Sequence, residues 1–300
     1  MSRDVFNWVS NLVTTKPSQP TTRARTEIGQ LVIERYHCGR IQNNKLLFTA
    51  QDKFKLRSKL KSEFGFDPLF TKQLPDDRLE VAIHHDNEKL AKLPPSHDHI
   101  LINSPSGILQ LNKQQIQLHS EQLPNAGMMC LSSGINHIEH GAIVVVENLP
   151  IMQLCPSFLL PHLCQNALWI YRGDYKSGAK ASACYDLLKR LGKDKEVIVF
   201  SDMDPKGLEI ALTIPYAKYW LGPETDVWTN CLQSRYSSPS GYDSQSKAMK
   251  YLLDKINTDT FSEPINDLIT QMGTERSSYR QEHMYVHNIP LSLCPIKNST

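Results

Sequence analysis

Val197-Ile198-Val199-Phe200-Ser201-Asp202-Met203-Asp204-Pro205-Lys206-Gly207 runs from an unbroken apolar stretch straight into two carboxylates, a proline and a glycine. The β-branched and aromatic run is the pattern of a strand buried on both faces of a parallel sheet. Pro205 and Gly207 lead into Leu208-Glu209-Ile210-Ala211-Leu212, which reads as a helix entered through a proline in its first turn. A second stretch, Ile143-Val144-Val145-Val146-Glu147-Asn148, has the same form: strand, then acid. In open α/β sheets ligands bind beyond the carboxyl ends of the strands, which is where Glu147, Asp202 and Asp204 are expected. Asp202 and Asp204 lie two apart, so on extended chain their side chains point the same way. Hard oxygen donors of this kind suit Mg²⁺, with Mn²⁺ as a substitute, although Asp204 also fits a plain helix cap.

The chain between these stretches supports the sheet. Ala167-Leu168-Trp169-Ile170-Tyr171 reads as another strand, a glycine turn at Gly173 follows, and Ala181 to Leu191 has apolar residues at helix spacing. Ala217 to Leu221 fits one more strand. The alternation predicts a small parallel α/β domain. Gly173 to Lys180 has the position of a phosphate-binding loop without its chemistry: Ala179 separates Gly178 from Lys180, and no hydroxyl follows the lysine. No intrinsic ATPase is expected.

Glu147 after the first strand, the turn at Gly173 and the segment Ser201 to Gly207 together resemble the Toprim domain of topoisomerases, primases and several nucleases. With Val146-Glu147-Asn148 and Arg280-Gln281-Glu282, the chain is most similar to the JetD-like nuclease subunits of Wadjet plasmid-defence systems, relatives of the topoisomerase VI A subunit. The resemblance implies a Toprim fold and a Mg²⁺-dependent DNA endonuclease. In it Glu147 acts as general acid or base and helps hold metal, and Asp202 and Asp204 bind the metal. It also implies a homodimer and an SMC-type, condensin-like ATPase partner that selects the DNA. Glu209 and Glu282 are weaker site candidates: Glu209 also reads as a surface acid, and Glu282 as part of an exposed helix with internal ion pairs. The usual glycine before Asp-x-Asp is Ser201 here, which is expected to narrow the approach of a phosphate.

The 300 residues carry 33 Lys and Arg against 31 Asp and Glu, for a net charge of +2, and 40% are hydrophobic. These are the proportions of an ordinary globular chain of two or three domains. No apolar run reaches the ~20 residues that span a bilayer, and no signal-like start is present, so a cytoplasmic protein is expected. The seven cysteines are scattered and read as free thiols. His84-His85, His97-Asp98-His99, His137 and His140 lack the spacing of a zinc site and read as surface residues.

Cations concentrate between Arg23 and Phe66. Thr26 to Tyr36 predicts a helix with Ile28, Leu31, Val32 and Tyr36 inward; Leu46 to Phe48 predicts a short strand; Thr49 caps a second helix with Phe54, Leu56, Leu60 and Phe64 inward. This fits a helix-turn-helix or winged-helix-like module with Lys53, Lys55, Arg57, Lys59 and Lys61 as phosphate contacts, only part of which can face DNA at once. Ile100–Asn103 and Ile108–Leu111 predict a hairpin, and Gln115 to His119 a further strand. Towards the end of the chain, helices are expected near Ser246–Ile256 and Glu263–Met272. The expected organisation is an N-terminal arm (1–22), the basic module (23–75), a linker with a small β subdomain (76–125), the Toprim domain (126–232) and a helical extension (233–300). Two other function classes fit the same residues. One is a topoisomerase VI A-like strand transferase with Tyr36 as nucleophile, and the other a non-catalytic DNA-binding scaffold.

Overall fold

The computed structural model describes residues 2–118, 125–174, 176–256 and 261–297, so His119 and Tyr175 lie outside the described residues. The chain divides into two compact units, 1–95 and 96–300.

In the first unit α1 (Arg3–Thr14) is capped by the Ser2 hydroxyl and buries Phe6, Val9 and Leu12. Residues 3–14 of the expected N-terminal arm are therefore a helix packed into the core of this unit, while residues 16–20 are exposed. β1 (Thr21–Ala24), β2 (Arg40–Gln42) and β3 (Lys45–Phe48) form an antiparallel sheet in the order β1-β3-β2. α2 (Glu27–Tyr36) precedes the β2–β3 hairpin, whose turn residues Asn43 and Asn44 both have positive φ. α3 (Ala50–Phe64) follows it, started by a reciprocal Thr49–Asp52 capping box. The hairpin stands between the two helices, so they are not a tight helix-turn-helix pair. Two inward assignments change. Leu31 is exposed, with Gly29, Val32 and Tyr36 buried instead. Phe54 is exposed as well, because the buried set of α3 is Lys53, Leu56, Leu60 and Phe64, a spacing of three and four that seats a lysine where an apolar residue was expected. α4 (Arg78–His84) closes the unit, with its N-terminal N–H groups bonded to Asp77.

The second unit is built on a seven-stranded sheet among the described residues. Its strands are β4 (His99–Asn103), β7 (Met128–Leu131), β8 (Ala142–Val146), β9 (Leu168–Tyr171), β10 (Glu196–Phe200), β11 (Ala217–Pro223) and β12 (Leu291–Pro295), in the order β12-β11-β10-β8-β9-β4-β7. The four inner strands, β11, β10, β8 and β9, are parallel, while β12, β4 and β7 are antiparallel edge additions. The unbroken apolar runs of β8 and β10 have the burial expected of them: every residue from Ile143 to Val146 and from Val197 to Phe200 is fully buried.

The expected hairpin of 100–111 does not form. β4 pairs with β7 and β9 in the large sheet, whereas β5 (Ile108–Leu111) pairs with β6 (Gln114–Gln117) across a turn at Asn112 and Lys113. Both runs have strand character, and pairing partners are a tertiary choice that alternation alone does not encode. His140, read from sequence as a surface residue, is buried between Gln110 N–H, which donates to its Nε2, and Asn166 O.

Connections place the site. β8 leads through α5 (Leu149–Leu154) and α6 (His162–Gln165) to β9 on one side. The chain then returns through α7 (Ala181–Leu191) to β10 on the other side of β8, and α8 (Pro205–Thr213) leads on to β11. The direction of winding reverses between β8 and β10, the topological switch at which the strand ends leave a crevice. After β11 come α9 (Trp228–Gln233), α10 (Pro239–Asp243), α11 (Ser246–Ile256), α12 (Glu263–Glu275) and α13 (Gln281–Val286), then β12. Among the described residues no helix is long and apolar enough to cross a membrane.

Candidate functional site

Glu147 follows β8 and Asp202 follows β10, and these two strands are hydrogen-bonded neighbours in register, Val146 opposite Phe200. The Glu147 N–H donates to Phe200 O at 3.0 Å, and the Asp202 N–H donates to Glu147 Oε2 at 3.3 Å. Asp202 Oδ1 accepts from the Asn148 side-chain amide at 3.0 Å and from the Gln281 N–H at 2.8 Å. Asp204 caps α8: its Oδ1 accepts from the Gly207 N–H at 2.6 Å, and its Oδ2 accepts from the Gln245 amide at 2.7 Å. Glycine is required at 207, since a Cβ there would collide with the carbonyl oxygen of Asp202. A two-way bridge, Met203 N–H to Tyr279 O at 2.8 Å and Tyr279 N–H to Met203 O at 2.9 Å, splices the acidic loop to the segment before α13. That bridge carries Arg280, Gln281 and Glu282 to the site.

Asp202, Asp204 and Glu282 line a cavity of about 350 Å³ together with Asn148, Gln245 and Arg280, while Glu147 stands behind Asp202 and is not part of the lining. Burial pushes the Asp202 carboxyl up to about 8, with the nearby Glu147, Asp204 and Glu282 carboxylates adding to the rise and the Gln281 N–H opposing it. The Glu147 carboxyl is raised by burial and by Asp204, against the fields of Arg172 and Lys206. Like charges thus crowd a poorly solvated crevice. Asp202 Oδ2 and Glu147 Oε1 have no hydrogen-bond partner among the described residues. As the side chains stand, no three His, Cys, Asp or Glu among the described residues close on a bare metal ion. The donor set instead fits a hydrated hard cation, which takes one or two protein carboxylates and keeps its waters. Both polar atoms of the Gln281 amide are buried without a partner among the described residues, on the residue whose N–H holds Asp202.

Glu282 lines the cavity, and Glu209 does not; Glu209 forms an ion pair with Lys206 at 2.8 Å on the outer side of α8. Ser201 does not narrow the cavity. It is fully buried, donates to Gly207 O at 2.9 Å and accepts from the Trp220 indole at 3.1 Å. Asn148 and Gln245 were missed by sequence reading; Asn148 stood beside Glu147, but nothing at position 245 marks it. In the loop after β9, Asp174 accepts from the Ser177 and Lys176 N–H groups and from the Tyr171 hydroxyl, so these two backbone donors are taken by the loop's own carboxylate, whose pKa falls to about 2 through the Ser177 N–H. Gly173, at φ +86, packs so close that a Cβ would stand 2.6 Å from Ala181 N.

The five expected phosphate contacts separate in the first unit. Lys53 is 2% exposed, and its ammonium donates to Thr15 O at 2.8 Å, Lys16 O at 3.0 Å, Gln19 O at 2.9 Å and the Thr21 hydroxyl, so it is a core tie and not a surface cation. Arg57 is held by both carboxylate oxygens of Asp67 at 2.8 Å. Lys59 donates to Tyr36 O at 2.7 Å, and Lys61 lies 3.8 Å from Asp67. Lys55 is exposed and has no ion pair or hydrogen bond among the described residues. Tyr36 is buried, and its hydroxyl donates to Glu63 Oε2 at 2.5 Å; burial, then Glu63, raise its pKa well above the ordinary 10.0.

No curated protein matches the chain. A family model described as a domain of unknown function, DUF7281, matches residues 97–293, a span that contains every residue of the acidic cavity. The chain therefore belongs to the DUF7281 family.

Proposed function

We propose that this chain is a Mg²⁺-dependent Toprim-type DNA endonuclease. The observation that carries the reading is the delivery of Glu147 and of the Asp202–Asp204 pair by adjacent parallel strands at the topological switch of the sheet. Asp202 and Asp204 would hold Mg²⁺ or Mn²⁺, which when bound supplies positive charge to the phosphate and the leaving oxygen. Glu147, its carboxyl raised by burial, suits proton transfer: it would take a proton from the attacking water as that oxygen bonds to phosphorus and the P–O bond to the leaving oxygen breaks. Asn148, Gln245 and the Gln281 N–H fix the two aspartates, and Glu282 adds a fourth acid at the rim.

The first unit supports DNA delivery through a winged-helix-like arrangement of α2, the β2–β3 hairpin and α3, with Lys55 and Lys59, one turn apart on α3, facing phosphates. Arg57 contributes only where DNA displaces Asp67. By its resemblance to JetD-like nucleases the chain would be a homodimeric effector directed by an SMC-type ATPase complex. The tied and buried Tyr36 hydroxyl speaks against a tyrosine strand transferase.

Incubation of supercoiled plasmid with Mg²⁺ or Mn²⁺, alone and with a DNA-translocating partner complex, tests the reading. Nicked or linear product should form with wild type and vanish with Asp202→Ala and Glu147→Gln. Identical products from wild type and Asp202→Ala, or none from wild type under either condition, refute it.

A further inference from the structure

We propose that Arg172 is a phosphate-binding residue of the acidic site, its guanidinium taking an anionic oxygen of a nucleic-acid backbone beside Glu147. The inference rests on the nuclease reading for the polymer, and its own ground is geometric.

Arg172 directly follows β9. Its backbone N–H donates to Val146 O at 2.8 Å, and Val146 lies opposite Tyr171 in the parallel ladder. Arg172 and Glu147 are therefore level neighbours on adjacent strand ends, at the same carboxyl edge of the sheet as Asp202, with Arg172 one strand further out than Glu147. The side chain of Arg172 is half-buried, yet it makes no hydrogen bond or ion pair with any described residue. Its Nε is sealed from solvent with nothing to donate to.

Among the described residues the neighbouring groups offer no alternative partner. Asp174, two residues on, is consumed by its own loop and by Tyr171. Glu147 feels the positive field of Arg172 but is not in ion-pair contact with it. Arg190, on α7, spends its donors on Ile135 O at 2.9 Å and Ser132 O at 2.7 Å, which is what a structural arginine of this fold does. A guanidinium with unspent donors, partly out of water, is costly unless a ligand completes it. Its planar fork matches two oxygens of a phosphate better than any neutral group. Placed beside a cluster of acids, it would draw the phosphate to the carboxylates that otherwise repel it.

The ligand chemistry, a phosphate oxyanion, has two sources: a polymer backbone or a free phosphate compound. Binding of a fluorescent DNA oligonucleotide to the full chain is measured by anisotropy with Ca²⁺ in place of Mg²⁺, over a salt series, for wild type, Arg172→Ala and Arg172→Lys. Alanine should weaken binding about tenfold and lower the salt slope by about one, lysine should recover part of the loss, and urea midpoints should match wild type. Wild-type affinity and slope in Arg172→Ala overturn the proposal, as does lysine binding no better than alanine. Full competition by inorganic phosphate at the same phosphate concentration overturns the assignment to a backbone. Binding is read without cleavage, so the two readings separate. Plasmid cleavage with unchanged Arg172→Ala binding leaves the nuclease and removes this inference, while Arg172-dependent binding without any cleavage does the reverse.

Discussion

Replacing Asp202 with asparagine should make the metal-free protein more stable above neutral pH. The Asp202 carboxyl sits at about 8 in the fold against an ordinary 3.8. A carboxyl raised by folding binds more protons in the native state than in the unfolded chain, so its contribution is full below about pH 4 and is lost as pH rises through about 8. At ~1.36 kcal/mol per pH unit the displacement has a ceiling of about 6 kcal/mol. Water entry and local relaxation lower such penalties, leaving roughly 2 to 3 kcal/mol. Asparagine keeps the Oδ1 that accepts from Asn148 and Gln281 and cannot ionise. With chelator present, the variant should match wild type within about 1 kcal/mol at pH 5 and exceed it by roughly 2 to 3 kcal/mol at pH 9. Glu147, also raised, keeps part of the wild-type slope in the variant. Urea unfolding followed by tryptophan fluorescence in a Trp8→Phe background reads the second unit alone, because Trp169, Trp220 and Trp228 all belong to it. Mg²⁺ at pH 8 should raise the wild-type midpoint and leave the variant's unchanged. A wild-type midpoint that does not fall between pH 5 and 9, or an asparagine variant no more stable at pH 9, refutes the account of a crowded, desolvated acid site.

Lys53 and Lys55 should behave oppositely. Lys53→Met strands three backbone carbonyls and should cost roughly 2 to 4 kcal/mol in the urea unfolding of the first unit. Lys55→Ala should leave stability within about 0.5 kcal/mol and weaken DNA binding with a shallower salt slope. Tyr36→Phe should cost about 1 kcal/mol and leave DNA cleavage intact, without any covalent protein–DNA adduct in either form. A denaturant-resistant adduct in wild type that disappears in Tyr36→Phe would establish the strand-transferase class instead.

Local grammar carried much of this fold. The helix 181–191 and the helix 246–256 run as their apolar spacing indicates, and the capping pair Thr49–Asp52 starts α3 where the cap signal stands. Where reading failed, long-range contacts overrode local pattern. Lys53 occupies an inward position of α3 because carbonyls of the 15–19 loop converge on its ammonium, and those residues are more than thirty positions away in the chain. Ile100–Asn103 and Ile108–Leu111, separated by a turn, read as a hairpin, but the first finds its partners in β7 and β9.

The sequence by itself determined that two buried strands end in acids, because continuous β-branched runs and the carboxylates that follow them are properties of adjacent residues. Only the tertiary structure decided that those two strands are neighbours with the winding reversed between them. It alone also brought Gln245 and Glu282 to the same cavity, set the Gln281 N–H on Asp202, and left the Arg172 side chain near Glu147 with no partner among the described residues. Strand order and the Met203–Tyr279 bridge are set by which surfaces bury each other across long stretches of chain, and no local spacing records that choice.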